Sequence, residues 1–359
     1  MATASIDDWA SGMRYAAMQS ARVAWYTGHG FAMRRMLKRI AEKHPQAAPS
    51  VTPPSKPVPN TARLLRDVGK LMARDFANAR AGLYPMPDPE ETDLSRLLAT
   101  SRAFFADVPE VARRRREGAS QEVGGKRGTG KRPRYYMQNF HFQSGGWMSE
   151  ESARLYDMQV EVLFNGAASA MRRQALVPVA EALQGRDQRQ LLAADIACGT
   201  GRFVADLRGA YPRLPVIALD LSEEYVNETR RHVGRAATLR PMVAKAEALP
   251  LPDASLDVAS AIYLFHELPP KVRRQVAAEI GRVVKPGGTF ILVDSLQPGD
   301  MPDYDGLLEV FPQLFHEPYY RGYLAEDLPR LFAPHAMVVE KVETAFFSKI
   351  VTFRRSETA

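Results

Sequence analysis

Asp195-Ile-Ala-Cys-Gly-Thr-Gly-Arg202 stands where an apolar run of strand length, LLAADIA, gives way to a helical segment starting at Gly201. Working outward from this turn, the same alternation repeats. A strand PVIALD precedes a helix from Glu223, then come the runs LRPMVAK and LDVASAIY, a helix over residues 270–283 and a strand TFILVDS. Strand–helix alternation at this spacing calls for an α/β fold, a parallel sheet covered by helices on both faces. Beyond it, a helix near residues 325–332 leads to AMVVEKVE and FFSKIVTFR, close enough in sequence to pair as an antiparallel hairpin at the sheet edge.

The glycine turn is a candidate ligand site. Gly199 and Gly201 permit a tight bend and a close backbone approach, and open α/β sheets bind ligands at the carboxyl ends of their strands. The bland alternative is a strand–helix turn without a ligand. A dinucleotide fingerprint requires a third glycine three positions after Gly201, to let helix and strand close around a pyrophosphate; that position is Val204. A ligand without phosphate and with a cationic end, S-adenosylmethionine, suits Asp195 ahead of the glycines. Asp220 ends the second strand, where a carboxylate can accept from both ribose hydroxyls, although an Asp there can also cap the next helix.

Together DIACGTGR, Asp220, the run AEALPLPDASLDV (residues 246–258) and Val284-Lys285-Pro286-Gly287-Gly288 carry a resemblance. The segment 190–297 resembles the class I S-adenosylmethionine-dependent methyltransferases, and is similar in particular to the ubiquinone and menaquinone biosynthesis C-methyltransferases. The resemblance implies a Rossmann-like seven-stranded sheet, here with a mainly helical N-terminal extension. Carried over by position, Asp195 faces the methionyl end, Ala197, Gly199, Thr200 and Gly201 line the cofactor, Asp220 and Leu221 meet the ribose, and Ala246 and Glu247 neighbour the adenine. Lys245 stands where family members often have an Asp that bonds the adenine amino group. A lysine cannot accept that bond.

Methyl transfer from a sulfonium is an in-line displacement, so the protein must chiefly orient its reactants, an effect worth about 7–11 kcal/mol. A base is needed only for a protonated acceptor. The candidates are His266 and Glu267, in Tyr263-Leu-Phe-His-Glu-Leu-Pro269 after the fourth strand; the alternative is that His266 packs against the cofactor and Glu267 starts a helix. Base amino nitrogens commonly use an Asn/Asp-Pro-Pro-aromatic turn here, and cytosine C5 chemistry needs a nucleophilic cysteine. The chain has Phe-His-Glu-Leu, and its one cysteine, Cys198, lies inside the cofactor turn. The acceptor expected is therefore a small aromatic or lipid-like molecule methylated at C or O, with RNA or protein as the alternative and a non-catalytic cofactor-binding protein as the third option. Nucleic acid is not the expected partner.

The rest of the 359 residues divides by composition. Residues 1–44 read as a basic helical segment broken in two at Gly28 and Gly30, with no acidic residue over 9–41. Residues 45–60 hold six prolines and read as an extended linker. Residues 61–149 read as a helical domain: helices over 61–81 and 93–106, a short one across the arginines 113–116, a mobile Gly-rich loop over 117–134 that is basic from Lys126 to Arg134, and the aromatic stretch YYMQNFHFQSGGWMS. The methyltransferase domain occupies 150–359, beginning with a helix over 150–163. His141, Trp147, Tyr135, Tyr136, Phe140 and Phe142 suit either a lid over the acceptor or a core joining the two parts. Of the net charge of +7, +10 lies in residues 1–150 and −3 in the remainder. Such a basic surface suits phosphates of anionic lipid or nucleic acid, or simply solvent. With one cysteine, no disulfide within the chain is possible. Neither a secretory signal nor an 18-residue apolar run is present, and the expected location is cytoplasmic, with peripheral contact to an anionic membrane as an option.

Overall fold

A computed structural model describes residues 6–44, 51–87, 94–125 and 132–357. A seven-stranded sheet is built from β1 (Ala193–Ile196), β2 (Val216–Asp220), β3 (Leu239–Val243), β4 (Leu256–Ile262), β5 (Val284–Ser295), β6 (Met337–Ala345) and β7 (Ser348–Arg355), in the order β3-β2-β1-β4-β5-β7-β6. The first five strands are parallel, and β7 runs antiparallel to both β5 and β6. The order reverses at β1, between β2 and β4, so the cleft above its carboxyl end is where such a sheet holds a ligand. Strands β1 and β4 are buried along nearly their whole length, as both-faced coverage demands.

The chain-order helices are α1 (Ile6–Lys43), α2 (Thr61–Arg80), α3 (Leu94–Glu117), α4 (Glu150–Leu163), α5 (Ala168–Arg173), α6 (Leu176–Leu183), α7 (Arg202–Ala210), α8 (Glu223–Val233), α9 (Pro270–Val283), α10 (Asp305–Leu314), α11 (Tyr320–Leu324) and α12 (Leu328–Phe332). One apolar core runs from Tyr15 of α1 and Val68, Leu71 and Met72 of α2 through Met171 to Val204 of α7 and Ile291 and Val293 of β5. A second, on the other face, joins Ile196, Phe265, Ile280, Phe290 and Phe353. The N-terminal helices thus share a core with the sheet.

Four expectations are corrected. The first segment is a single helix, not two: a helical glycine costs about 1 kcal/mol, and burial of Tyr15 together with packing of Met33, Met36 and Leu37 against Phe104, Val108 and Val162 offsets it. Helix α3 is likewise continuous through the arginines 113–116 despite Pro109, held by buried Phe104 and Val108 above and Arg114 below it. Residues 51–60, read as a free linker, lie along α10: Ser55 donates to Glu309, Lys56 Nζ is 3.2 Å from Asp305, and the Pro57 carbonyl accepts from Gly306. The arginines are not free for phosphates. Arg113 meets Glu110, Glu117 and Glu122, and buried Arg114 meets Glu122, Ser144 and the Phe142 carbonyl. Of the loop read as mobile, Glu122–Gly125 and Arg134–Tyr136 belong to short 3-10 turns and Arg132 pairs with Glu224 at 2.8 Å, while residues 126–131, like the linker reading of 45–50, lie outside the described residues. No helix among the described residues is long and apolar enough to cross a membrane.

Candidate functional site

Two adjoining cavities open over the carboxyl ends of β1 and β4. The first lies directly over the glycine turn and the end of β2. Ala197, Gly199, Asp220, Leu221, Ala246 and Glu247 line it, as expected from sequence, together with Tyr135, Tyr136, Trp147, Tyr156, Tyr225 and Tyr263. Gly199 has φ +56° and open space where a Cβ would point, while its N–H donates to Asp220 Oδ2 at 2.9 Å. Asp220 Oδ1 also accepts from the Ser222 N–H at 2.8 Å. Burial pushes the Asp220 carboxyl up to about 6 against these two bonds.

Three residues expected on this wall stand behind it. Asp195 does not reach the cavity; it is buried and accepts from Ser260 Oγ of β4 at 2.7 Å, with burial raising its carboxyl to about 7. Thr200 donates to Asp157 Oδ1 of α4 at 2.7 Å. Gly201, at φ +78°, backs onto Thr229, and a Cβ would stand 2.8 Å from its Cγ2. These groups fix the turn rather than touch the cavity. Lys245 is exposed, whereas Ala246 and Glu247 line the cavity, and the Glu247 carboxylate accepts from Tyr135 Oη at 3.0 Å.

The second cavity is apolar and aromatic. Val160, Leu163, Phe164, Leu307, Phe311, Leu314, Phe315 and Phe347 form most of it, with His141, His266, Glu267, Ser295 and Tyr320 as its polar members. Tyr156, Trp147, Tyr263 and Glu267 belong to both cavities. A third, apolar space between α1, α3 and α4 adjoins through His141, Tyr156 and Phe315. Within the aromatic stretch Phe140 is fully buried and stacks on Trp147 at 4.1 Å, Tyr135 and Tyr136 line the first cavity, His141 the second and Trp147 both.

The turn Phe265–Glu267 brings both candidate bases into place. His266 Nδ1 is 2.5 Å from Asp294 Oδ1, and its Nε2 is 3.5 Å from Glu267 Oε1. Burial alone would lower the imidazole, but the Asp294 charge and hydrogen bond outweigh it and hold His266 well above its usual range. At neutral pH it is an imidazolium, not a free base. Glu267 is pulled down, burial notwithstanding, by bonds from His141 and His266. It is the carboxylate that faces both cavities.

Residues 193–288 match the family described as a methyltransferase domain. Over these residues the chain carries a methyltransferase domain. It is 31% identical over 144 residues to a demethylmenaquinone methyltransferase of Deinococcus radiodurans, covering 40% of this chain and 56% of that one. It is 32% identical over 184 residues to a ubiquinone/menaquinone biosynthesis C-methyltransferase of Syntrophotalea carbinolica, covering 49% and 66%. Among solved structures, one described as a SAM dependent methyltransferase from Aquifex aeolicus is similar at 19% identity and a TM-score of 0.37, over 50% of this chain and 88% of that one. The chain spans about half the length of the curated relatives it matches.

Sequence reasoning missed Asp294, Glu317, Tyr156, Tyr225 and Asp157. Asp294 had a signal, a carboxylate at the carboxyl end of β5. Tyr156, Asp157 and Tyr225 lie on helices whose turned-in faces depend on the packing of α4 against α8. Glu317 had no local signal; it comes from the loop between α10 and α11.

Proposed function

We propose that this methyltransferase domain transfers a methyl group from S-adenosylmethionine to carbon or oxygen of a small aromatic or lipid-like acceptor. The observation that carries this is the shared wall: Tyr156, Tyr263, Trp147 and Glu267 border the glycine-turn cavity and the apolar cavity alike. A methyl group passing from sulfur to acceptor must cross that wall, and orientation there is the main catalytic demand.

The first cavity fits the donor. Asp220 offers a carboxylate to the ribose hydroxyls, Gly199 leaves room for close approach, and the electron-rich faces of Tyr136, Trp147, Tyr156 and Tyr225 suit a sulfonium. With the donor bound, the activated methyl is supplied by the sulfonium. The acceptor cavity is lined chiefly by aliphatic and aromatic carbon, and the space against Met33, Leu37, Phe104 and Val108 extends it for an apolar chain. A hydroxyl or acidic carbon entering this cavity meets the Glu267 carboxylate, the candidate to take its proton, with His266, anchored by Asp294, beside it.

Exposed Trp9, Met13 and Phe31, with exposed Arg34, Arg35, Lys38 and Arg39 on the same helix, support a further part of this reading, peripheral contact of α1 with an anionic membrane.

Incubation of the protein with methyl-labelled donor and fractionated extract tests the reaction. Label is expected in the lipid or small-aromatic fraction. Label confined to RNA or protein would overturn the acceptor class, and absence of heat on titration with S-adenosylhomocysteine would overturn the donor.

A further inference from the structure

His141, Glu267 and Glu317 each turn one ligand atom to a common point, the three atoms lying within 4.8 Å of one another. Glu317 has a fully buried side chain, and Glu267 is buried to more than nine-tenths. Neither oxygen of Glu317 accepts a directed hydrogen bond, and Glu267 Oε2 has no partner either. His141 Nε2 stands 2.7 Å from Glu317 Oε1, while Glu317 Oε2 and Glu267 Oε2 are left without a donor. Leaving buried carboxylate oxygens without donors costs several kcal/mol. The nitrogen and the oxygen instead converge as two ligands of one ion do.

Charge leads to the same place. Buried Asp294 is matched by His266 and by the N–H groups of Phe265, His266 and Ser295. That leaves Glu267 and Glu317, two carboxylates, facing His141. Two buried acidic side chains facing one imidazole form a donor set that a divalent cation accepts. With metal–ligand bonds of ~2.1 Å, the three atoms would draw in from their present separations of up to 4.8 Å around one ion. His141 is also held in place by its backbone, at φ 54°, an unfavourable conformation retained where the position of a side chain matters.

We propose that His141, Glu267 and Glu317 hold a divalent cation at the head of the acceptor cavity. Two carboxylates and one imidazole suit Mn²⁺ first, with Zn²⁺ as the softer alternative. Because His141 and Glu267 also line the acceptor cavity, the cation is placed to hold an oxygen of the acceptor; this role, though not the binding of the ion, rests on the methyl-transfer reading above.

The experiment titrates Mn²⁺ into the metal-free full chain, followed by electron paramagnetic resonance and calorimetry, with and without S-adenosylhomocysteine. One ion per chain is expected in the unaltered protein. Glu317→Gln and His141→Gln are each expected to weaken it more than about tenfold while keeping S-adenosylhomocysteine binding, which reports an intact fold. No Mn²⁺ or Zn²⁺ bound at about 1 mM by protein that binds S-adenosylhomocysteine overturns the cation site alone. Equal Mn²⁺ binding by both variants also overturns it. Failure to bind S-adenosylhomocysteine, with Mn²⁺ still bound and lost in the variants, overturns the donor reading and leaves the cation site standing.

Discussion

Asp220 shows how one residue ties the turn to the ligand. Its two oxygens gather the N–H groups of Gly199 and Ser222, so the carboxylate both shapes the bend and keeps acceptor capacity toward the cavity. Its folded, ligand-free value of about 6 lies above the usual carboxylate value of 3.8 because it is buried. Ribose hydroxyls donate to the ionised form, so binding favours deprotonation. Affinity for S-adenosylhomocysteine should therefore be full above pH 6 and decline as pH falls through it, approaching tenfold per unit. Calorimetric titrations at pH 7.5 and pH 5 check this; equal affinities at both would remove Asp220 from the ribose. Backbone strain marks the same places. Ala197 and Tyr263, at the ends of β1 and β4, and His141 have positive φ without being glycine, and all three line a cavity. Such strain is typical of functional sites.

At the scale of elements, α1 is the least absorbed part of the fold. Its buried face meets α3 and α4, and Arg22 reaches Glu161 and the Gly166 carbonyl. Its other face keeps Trp9, Met13 and Phe31 in solvent. The sequence announced this helix by its apolar spacing but gave a false break at Gly28 and Gly30, because tertiary packing outweighs a local penalty of this size. Sedimentation with vesicles should show binding to those containing anionic lipid, lost in high salt as surface charges are screened. Replacing Trp9 and Phe31 with serine should abolish it without altering S-adenosylhomocysteine affinity. The strands, in contrast, were legible with few errors: continuous apolar runs bounded by turns leave little choice in a doubly covered sheet, and the closing hairpin pairs as its short connection requires.

For the whole molecule, the joint between the N-terminal helices and the sheet is a buried polar knot. Asp75 of α2, fully buried, takes Arg173 of α5 at 2.6 and 3.0 Å and the hydroxyls of Tyr15 at 2.6 Å and Tyr84 at 2.8 Å. Removing one partner of such a group leaves the others uncompensated. Asp75→Ala should destabilise the chain by about 3–5 kcal/mol, read as a lowered urea midpoint, with the first cavity's residues untouched. A loss below about 1 kcal/mol would mean the knot is not what couples the two parts.

What the sequence determined by itself is the sheet, the glycine bend and the cavity-lining residues Ala197, Gly199, Asp220 and Glu267, because each is written within one strand–turn–helix unit and obeys local rules of period and backbone freedom. Tertiary structure alone decided that Asp195, Thr200 and Gly201 stand behind the wall, that α2 and the proline strap close on the sheet, and that His141, Glu267 and Glu317, up to 176 residues apart in sequence, meet at one buried point. Burial, charge compensation and the direction of a lone pair depend on what packs against a residue, and no local pattern encodes that.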